Sequence, residues 1–273
     1  MLFCTVAGPA QMNGAVVLAR SVKEHHPEAR FVLCLVDCFK PMSSALPFDE
    51  VVSVGNNGHP IDSTESLAAV KAFLLSRLLS NNDPIAAHEE ERVIYMDPDM
   101  RLFAPVHELT IWTERKAVLA APFRLEPEPA ERDNREIERL RSGYLHGGFA
   151  ALRKCEESRR FLSWWSSHIE QSLYGPDRET FAGDKWLSVG MVPFRLALLR
   201  HPAYQAAAWN VDEEGRRVSA APWGGYNVGG EALRSFCFSN PGGLLDEQRA
   251  DPVIARLVAE YEQELAHAAQ LLG

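Results

Sequence analysis

Short apolar runs alternate with segments of helical spacing through the first hundred residues. Leu2 to Ala7 and Phe31 to Val36 are apolar almost throughout, and Glu50 to Val54 is a shorter run. Between them, Ala15 to His25 carries the three-and-four spacing of a helix. Thr64 opens a second helix whose apolar stripe holds Leu67, Val70, Leu74, Leu75 and Leu78. Val93 to Met96 is again a buried run. Strands apolar on both faces, alternating with amphipathic helices, predict an α/β fold: a mostly parallel central sheet flanked by helices.

The second half is less regular. Lys116 to Ala121 and Phe149 to Leu152 read as strands, and Glu156 to Tyr174 as an amphipathic helix carrying Trp164 and Trp165. Residues 124–142 are charged and read as an exposed loop leading into a short helix. Ala250 to Leu272 reads as a closing helix. No repeat, low-complexity tract or linker interrupts the chain, so residues 1–273 are expected to form one domain.

The chemistry concentrates where the strand Val93–Met96 ends. Asp97 and Asp99 follow it, separated by Pro98, which has no N–H and forces a turn. Two carboxylates at the end of a buried strand make a hard oxygen site for Mg²⁺ or Mn²⁺, and such a metal commonly grips a diphosphate. In a parallel sheet ligands bind beyond the carboxyl ends of the strands. Gly8, Asp37, Asp97 and Asp99 all fall on that edge. The plain alternative is a solvated strand-end turn. A haloacid-dehalogenase phosphatase also places such a pair after a strand, but near its N-terminus and followed by Thr or Val, whereas Met100 and Arg101 follow here.

Composition narrows the partners. The net charge of −9 argues against nucleic acid, since phosphate binding needs concentrated Lys and Arg. A nucleotide diphosphate stays compatible, because a metal supplies positive charge. The five cysteines, Cys4, Cys34, Cys38, Cys155 and Cys237, give no disulfide framework and suit a reducing cytosol. Leu2 to Ala7 reads as a first strand rather than a signal peptide, and no apolar run reaches the roughly 18 residues of a membrane span. A cytoplasmic protein is expected, with an acceptor at a membrane surface still compatible.

Ordered blocks of the chain resemble GT-A-fold glycosyltransferases of bacteria, similar to family 8, the group of glycogenin and lipopolysaccharide galactosyltransferases. Val93–Met100 matches "VIYLDPDI". Phe3–Ala7 matches the nucleotide-binding start, and Ala69-Val70-Lys71 an "AVKP" helix, with Ala72 in place of Pro. Gly147-Gly148-Phe149, preceded by His146, resembles the turn that approaches the sugar. Phe161–Trp165 matches "FL-WW", Asp184–Leu187 matches "DQKWL" without its Gln, and Ala208-Trp209-Asn210 matches "AYWN". Phe236–Asn240 stands where "FHFSG" is usual.

The resemblance implies a divalent-metal-dependent transfer of a sugar, from a nucleoside-diphosphate (UDP) donor to an acceptor hydroxyl. Asp97 and Asp99 would hold Mn²⁺ or Mg²⁺. Asp184 would be the active-site carboxylate beside the sugar, its bland alternative being a helix cap. Thr5, Ala7 and Asp37 would meet the nucleotide. Lys71, His146, Gly147, Gly148, Trp209 and Asn210 would meet phosphate or sugar, with core packing or an ordinary turn as their structural alternatives. Retention of anomeric configuration is the outcome the resemblance favours. The departure of most consequence is Cys237, which replaces the histidine that would complete the metal site. A thiol is a poor partner for Mn²⁺ or Mg²⁺. The lysine expected after Pro241-Gly242-Gly243 is also missing. A weakened or inactive nucleotide-sugar-binding protein of the same fold is therefore the alternative reading.

Overall fold

A computed structural model describes residues 1–37, 43, 45–55, 64–86, 90–128, 133–174, 183–239 and 251–272. Cys38, Asn240 and the Pro241-Gly242-Gly243 segment lie outside the described residues. Strands β1 (Leu2–Ala7), β2 (Arg30–Val36), β3 (Glu50–Val54) and β4 (Arg92–Met96) alternate with helices α1 (Met12–His25) and α2 (Thr64–Leu78). β5 (Met100–Leu102) and α3 (Glu108–Arg115) follow, then β6 (Val118–Pro122), α4 (Asp133–Ser142) and β7 (Leu145–Arg153). Helices α5 (Glu156–Tyr174) and α6 (Gly183–Gly190) lead to β8 (Ala197–Leu198).

The main sheet has the order β3-β2-β1-β4-β7-β6-β8. β3, β2, β1 and β4 are mutually parallel, and β7 alone runs against its neighbours β4 and β6. The mostly parallel sheet is therefore as its apolar strands predict. Period-two alternation splits the strand residues between two cores. Leu2, Cys4 and Val6 pack with α2, α5 and α6 on one face. Phe3, Ile94 and Met96 pack with α1 and α3 on the other. Along α5, Phe161, Leu162, Trp165 and Ile169 form the buried stripe, with Phe161 stacked on Trp165 at 5.8 Å. Each such side chain contributes about 1.5–3 kcal/mol by leaving water.

The later chain holds strands of two or three residues, too short to show a period. β9 (Ala206–Ala207), β10 (Val218–Ala220), β11 (Tyr226–Val228), β12 (Glu231–Ala232) and β13 (Ser235–Cys237) precede the closing helix α7 (Pro252–Leu272). β5, β13 and β9 form a small sheet in which Met100 pairs with Cys237. Cys4 and Cys34 are buried free thiols in the core, and burial pushes the Cys34 thiol up to about 12. Among the described residues no helix is long and apolar enough to cross a membrane.

His26 just after α1 is buried, and its Nε2 accepts a hydrogen bond from the Val106 N–H at 3.0 Å. Burial, reinforced by His107 and His25, lowers its pKa from 6.5 to about 4. The folded state thus holds fewer protons than the unfolded chain between those values. The contribution is complete above pH 6.5 and is lost as pH falls through 4, by about 3 kcal/mol. His26→Gln keeps an acceptor for Val106 but does not titrate. Urea denaturation at pH 7 and pH 4 is expected to show an acid loss smaller by about 2–3 kcal/mol in the variant than in the parent. Equal losses would remove His26 as the cause.

Candidate active site

β4 delivers Asp97 to the carboxyl edge of the sheet, and Pro98 turns the chain at once. The Met100 N–H donates to the Asp97 carbonyl at 3.0 Å, closing a four-residue turn with proline at its favoured second position. Gly14 of α1 backs directly onto this turn, and a Cβ there would collide with the Pro98 carbonyl oxygen. The glycine lets the helix approach the turn backbone to backbone.

Asp97 is tied down on one side. The Tyr95 hydroxyl donates to Oδ1 at 2.6 Å, and the Lys71 ammonium lies 3.2 Å from the same oxygen. Lys71 also donates to the Gly147 carbonyl at 2.6 Å and stands 4.5 Å above the Tyr95 ring. Oδ2 faces Gly148. Burial pushes the Asp97 carboxyl up, but Lys71, His146 and Tyr95 outweigh it and leave it below the usual carboxylate value. Asp99 lacks such support. Burial and the neighbouring charge of Asp97 raise it to about 6.

Gly147 and Gly148 lie within β7 rather than before it. The pairing with β6 slips between Ala120 and Ala121, forming a bulge. Bulges re-aim strands beside active sites. A Cβ on Gly147 would overlap the Asp184 carboxylate, and one on Gly148 would overlap Asp97 and the His146 ring. The two glycines thus admit carboxylates where side chains would stand. Asp184 is in the first turn of α6, where an acid favours the helix N-terminus.

Together these groups line a cavity of about 690 Å³ beyond the strand ends. Lys71, His146, Gly148, Asp97, Asp99 and Asp184 belong to its wall. Gly147 lies directly behind Asp184. Other expected residues stay out of the wall. Thr5 and Ala7 are buried in β1, where alternation presents Val6 instead. Asp37, exposed at the end of β2 with φ 53°, is not in the wall either. Trp209 is a second layer, its ring 5.0 Å from the ring of His146. Asn210 spends its amide on the Phe123 and Gln205 carbonyls, at 2.9 and 3.1 Å, and accepts from the Ala207 N–H.

Cys237 stands where strand pairing puts it, with Sγ 3.7 Å from Oδ1 of Asp99. Burial, with Asp99 and Asp97 nearby, holds its thiol well above the ordinary value, so it stays protonated. Among the described residues no group of three or more His, Cys, Asp or Glu is placed to hold a metal ion. The donor set that remains is two half-buried carboxylates. That set fits Mg²⁺ or Mn²⁺, which take one or two carboxylates and complete their shell with phosphate and water. Cys237 does not fit, being a protonated soft donor.

Four residues join the site beyond those the sequence singles out. Tyr95 shares a strand face with Asp97 by the period of two, a signal present in the sequence. Arg139 and Arg141 of α4 line the cavity from a segment that reads only as charged. Gln205 is buried in the left-handed region at φ 51°, and its side-chain amide meets Nδ1 of His146. Strain of this kind persists where the surroundings over-determine it. The Gln205 N–H donates to Ser235 Oγ at 2.8 Å, and its carbonyl accepts from Arg216 at 3.0 Å.

No protein-family model matches this chain, and no curated protein matches it. Solved structures do. A crystal structure of the galactosyltransferase LgtC in complex with donor and acceptor sugar analogues superposes with a TM-score of 0.58 at 12% identity, covering 98% of this chain and 96% of that one. An active-site mutant of LgtC superposes with a TM-score of 0.57, at the same identity and coverage. With its mostly parallel seven-stranded sheet flanked by helices, the chain has the GT-A glycosyltransferase fold.

Proposed function

We propose that the chain is a glycosyltransferase that moves a sugar from a nucleoside-diphosphate donor, UDP above others, to an acceptor hydroxyl. One observation carries this reading. Asp97, Asp99 and Asp184 line a single cavity at the carboxyl edge of a GT-A sheet. LgtC, in the likeness above, was solved with donor and acceptor sugar analogues.

Asp97 and Asp99 would hold Mn²⁺ or Mg²⁺ against the diphosphate. When bound, the cation acts as a Lewis acid on the leaving nucleotide. Lys71 orients Asp97 and, through the Gly147 carbonyl, the bulged strand. Asp184 stands on the sugar side and would stabilise positive charge or accept a proton there. His146 is buried, and burial lowers its pKa against the pull of Asp184 and Asp97. Its neutral ring accepts from the Gly148 N–H at 3.2 Å and fixes the backbone of the glycine pair. Retention by similarity to family 8, a hexose as the sugar, and residues 1–273 acting as one cytoplasmic or membrane-peripheral unit belong to the same proposal.

The Cys237 thiol beside Asp99 favours a second reading, a sugar-nucleotide-binding protein with weakened or absent catalysis. Release of UDP from a panel of UDP-sugars, with Mn²⁺ and then with excess EDTA, separates the two. Turnover that EDTA abolishes is expected. UDP binding with no sugar ever released would favour the binding protein, and absence of both would sink the assignment.

A further inference from the structure

Charges in the cavity are segregated. Asp97 and Asp99 stand at the end of β4, while α4 brings Arg139 and Arg141 to another part of the wall. Sheet order gives the direction. Val6 belongs to β1; Asp97 follows β4; His146 and Gly148 belong to β7, with β6 beyond. Arg139 lies past that point, its guanidinium 3.8 Å from the ring of Phe123, the residue after β6. α4 is pinned there at its end: Gly143 backs onto the Asp184 carbonyl, and the Tyr144 N–H donates to Ser188 Oγ at 2.8 Å. The arginines therefore share the wall with Asp184, on the sugar side.

Glu128 and Glu138 attract Arg139, but among the described residues neither carboxylate forms an ion pair with it. Arg30, Arg77, Arg101, Arg124, Arg216 and Arg234 all pair with carboxylates within 4.0 Å. Among the described residues Arg139 and Arg141 form no ion pair, and Nε of Arg139 is buried with no hydrogen-bond partner. Glu138 lines the same wall but is exposed on α4. A guanidinium stacked on an aromatic ring keeps its donor edge free and preorganised for a carboxylate or phosphate.

We propose that Arg139 and Arg141 form an anion subsite that receives a carboxylate or phosphate on the sugar side of the reaction, so that either the transferred sugar or its acceptor is acidic. The proposal rests on the glycosyl-transfer reading above. On that reading the diphosphate belongs near Asp97 and Asp99, which leaves the wall toward β7 and β6 for sugar.

The test uses the full chain with Mn²⁺. UDP binding is measured by calorimetry. Turnover is compared for UDP-glucuronate and UDP-galacturonate against UDP-glucose and UDP-galactose, and for hexose phosphates and hexuronates against hexoses as acceptors. One acidic class is expected to be preferred: the donor arm assigns the anion to the transferred sugar, the acceptor arm to the acceptor. The double variant Arg139→Gln with Arg141→Gln should lose that preference by about 10- to 100-fold while UDP binding changes less than about twofold. Leu140→Ala, exposed on the same helix, should change neither. Equal loss of UDP binding in the double variant would give the arginines to the diphosphate and overturn the subsite. No acidic preference in a parent protein that binds UDP would also overturn it, leaving the transferase reading intact. Failure of the parent to bind UDP would sink both.

Discussion

Asp97→Asn and Asp99→Asn are each expected to lower nucleotide-sugar turnover by at least about 100-fold, since each removes an anionic oxygen donor from a two-carboxylate set. Their effects on stability should differ, which separates chemistry from folding. Asp97 is the partner of the nearly buried Lys71, so its neutralisation leaves that ammonium without its counter-charge. Loss on the order of 1–3 kcal/mol is expected. Asp99 is in the opposite condition. Its pKa rises from 3.8 to about 6, so its carboxyl favours the folded state when protonated, and that advantage is lost as pH rises through 6. At pH 7, Asp99→Asn should therefore be neutral or stabilising, by on the order of 1 kcal/mol. Thermal unfolding gives the second readout. Mn²⁺ with UDP should raise the parent's Tm and leave both variants unmoved, as linkage requires of a ligand that binds only the folded state. A variant that keeps near-parental turnover would remove that carboxylate from the chemistry.

The two carboxylates were legible because a buried strand and a proline report on themselves locally. The same holds for the parallel sheet, α5 and α7, whose patterns repeat often enough to be read. The far wall of the cavity was not legible. Arg139 and Arg141 lie in a run of mixed charge that reads as a solvated helix, and only the packing of α4 on α6 turns them inward. Gln205 stands in a bend just before the two-residue β9, where no period exists to detect. The resemblance implies Thr5, Ala7 and Asp37 as nucleotide contacts, whereas the cavity wall takes Val6 from β1 and none of those three. Gly147 and Gly148 suggested close backbone approach, and the structure names what approaches: Asp184 and Asp97.

The largest expected loss of stability comes from a residue that no motif marks. Arg216 is 1% exposed, and its Nη1 donates to the carbonyls of Tyr204 and Gln205 at 3.2 and 3.0 Å. Its Nε lies 3.2 Å from Glu213, which in turn is 3.4 Å from Arg124, itself 2.7 Å from Asp212. Burial pulls the guanidinium down to about 10, with Glu213 opposing, so it remains charged at neutral pH. Arg216→Met would leave a buried carboxylate short of a partner, the Tyr204 carbonyl without its guanidinium donor and the Gln205 carbonyl with only the Asn210 amide. Urea denaturation should show a loss of about 3–5 kcal/mol. Arg216→Lys keeps the charge but not the fork, and should fall between. The same substitution reaches the cavity, because the Gln205 carbonyl that Arg216 holds belongs to the strained residue touching His146. Under conditions where Arg216→Lys is fully folded, turnover should therefore fall although no catalytic group has changed. A variant of unaltered stability would show the buried charges to be screened by water, and unaltered turnover would show that Gln205 holds its conformation without the guanidinium.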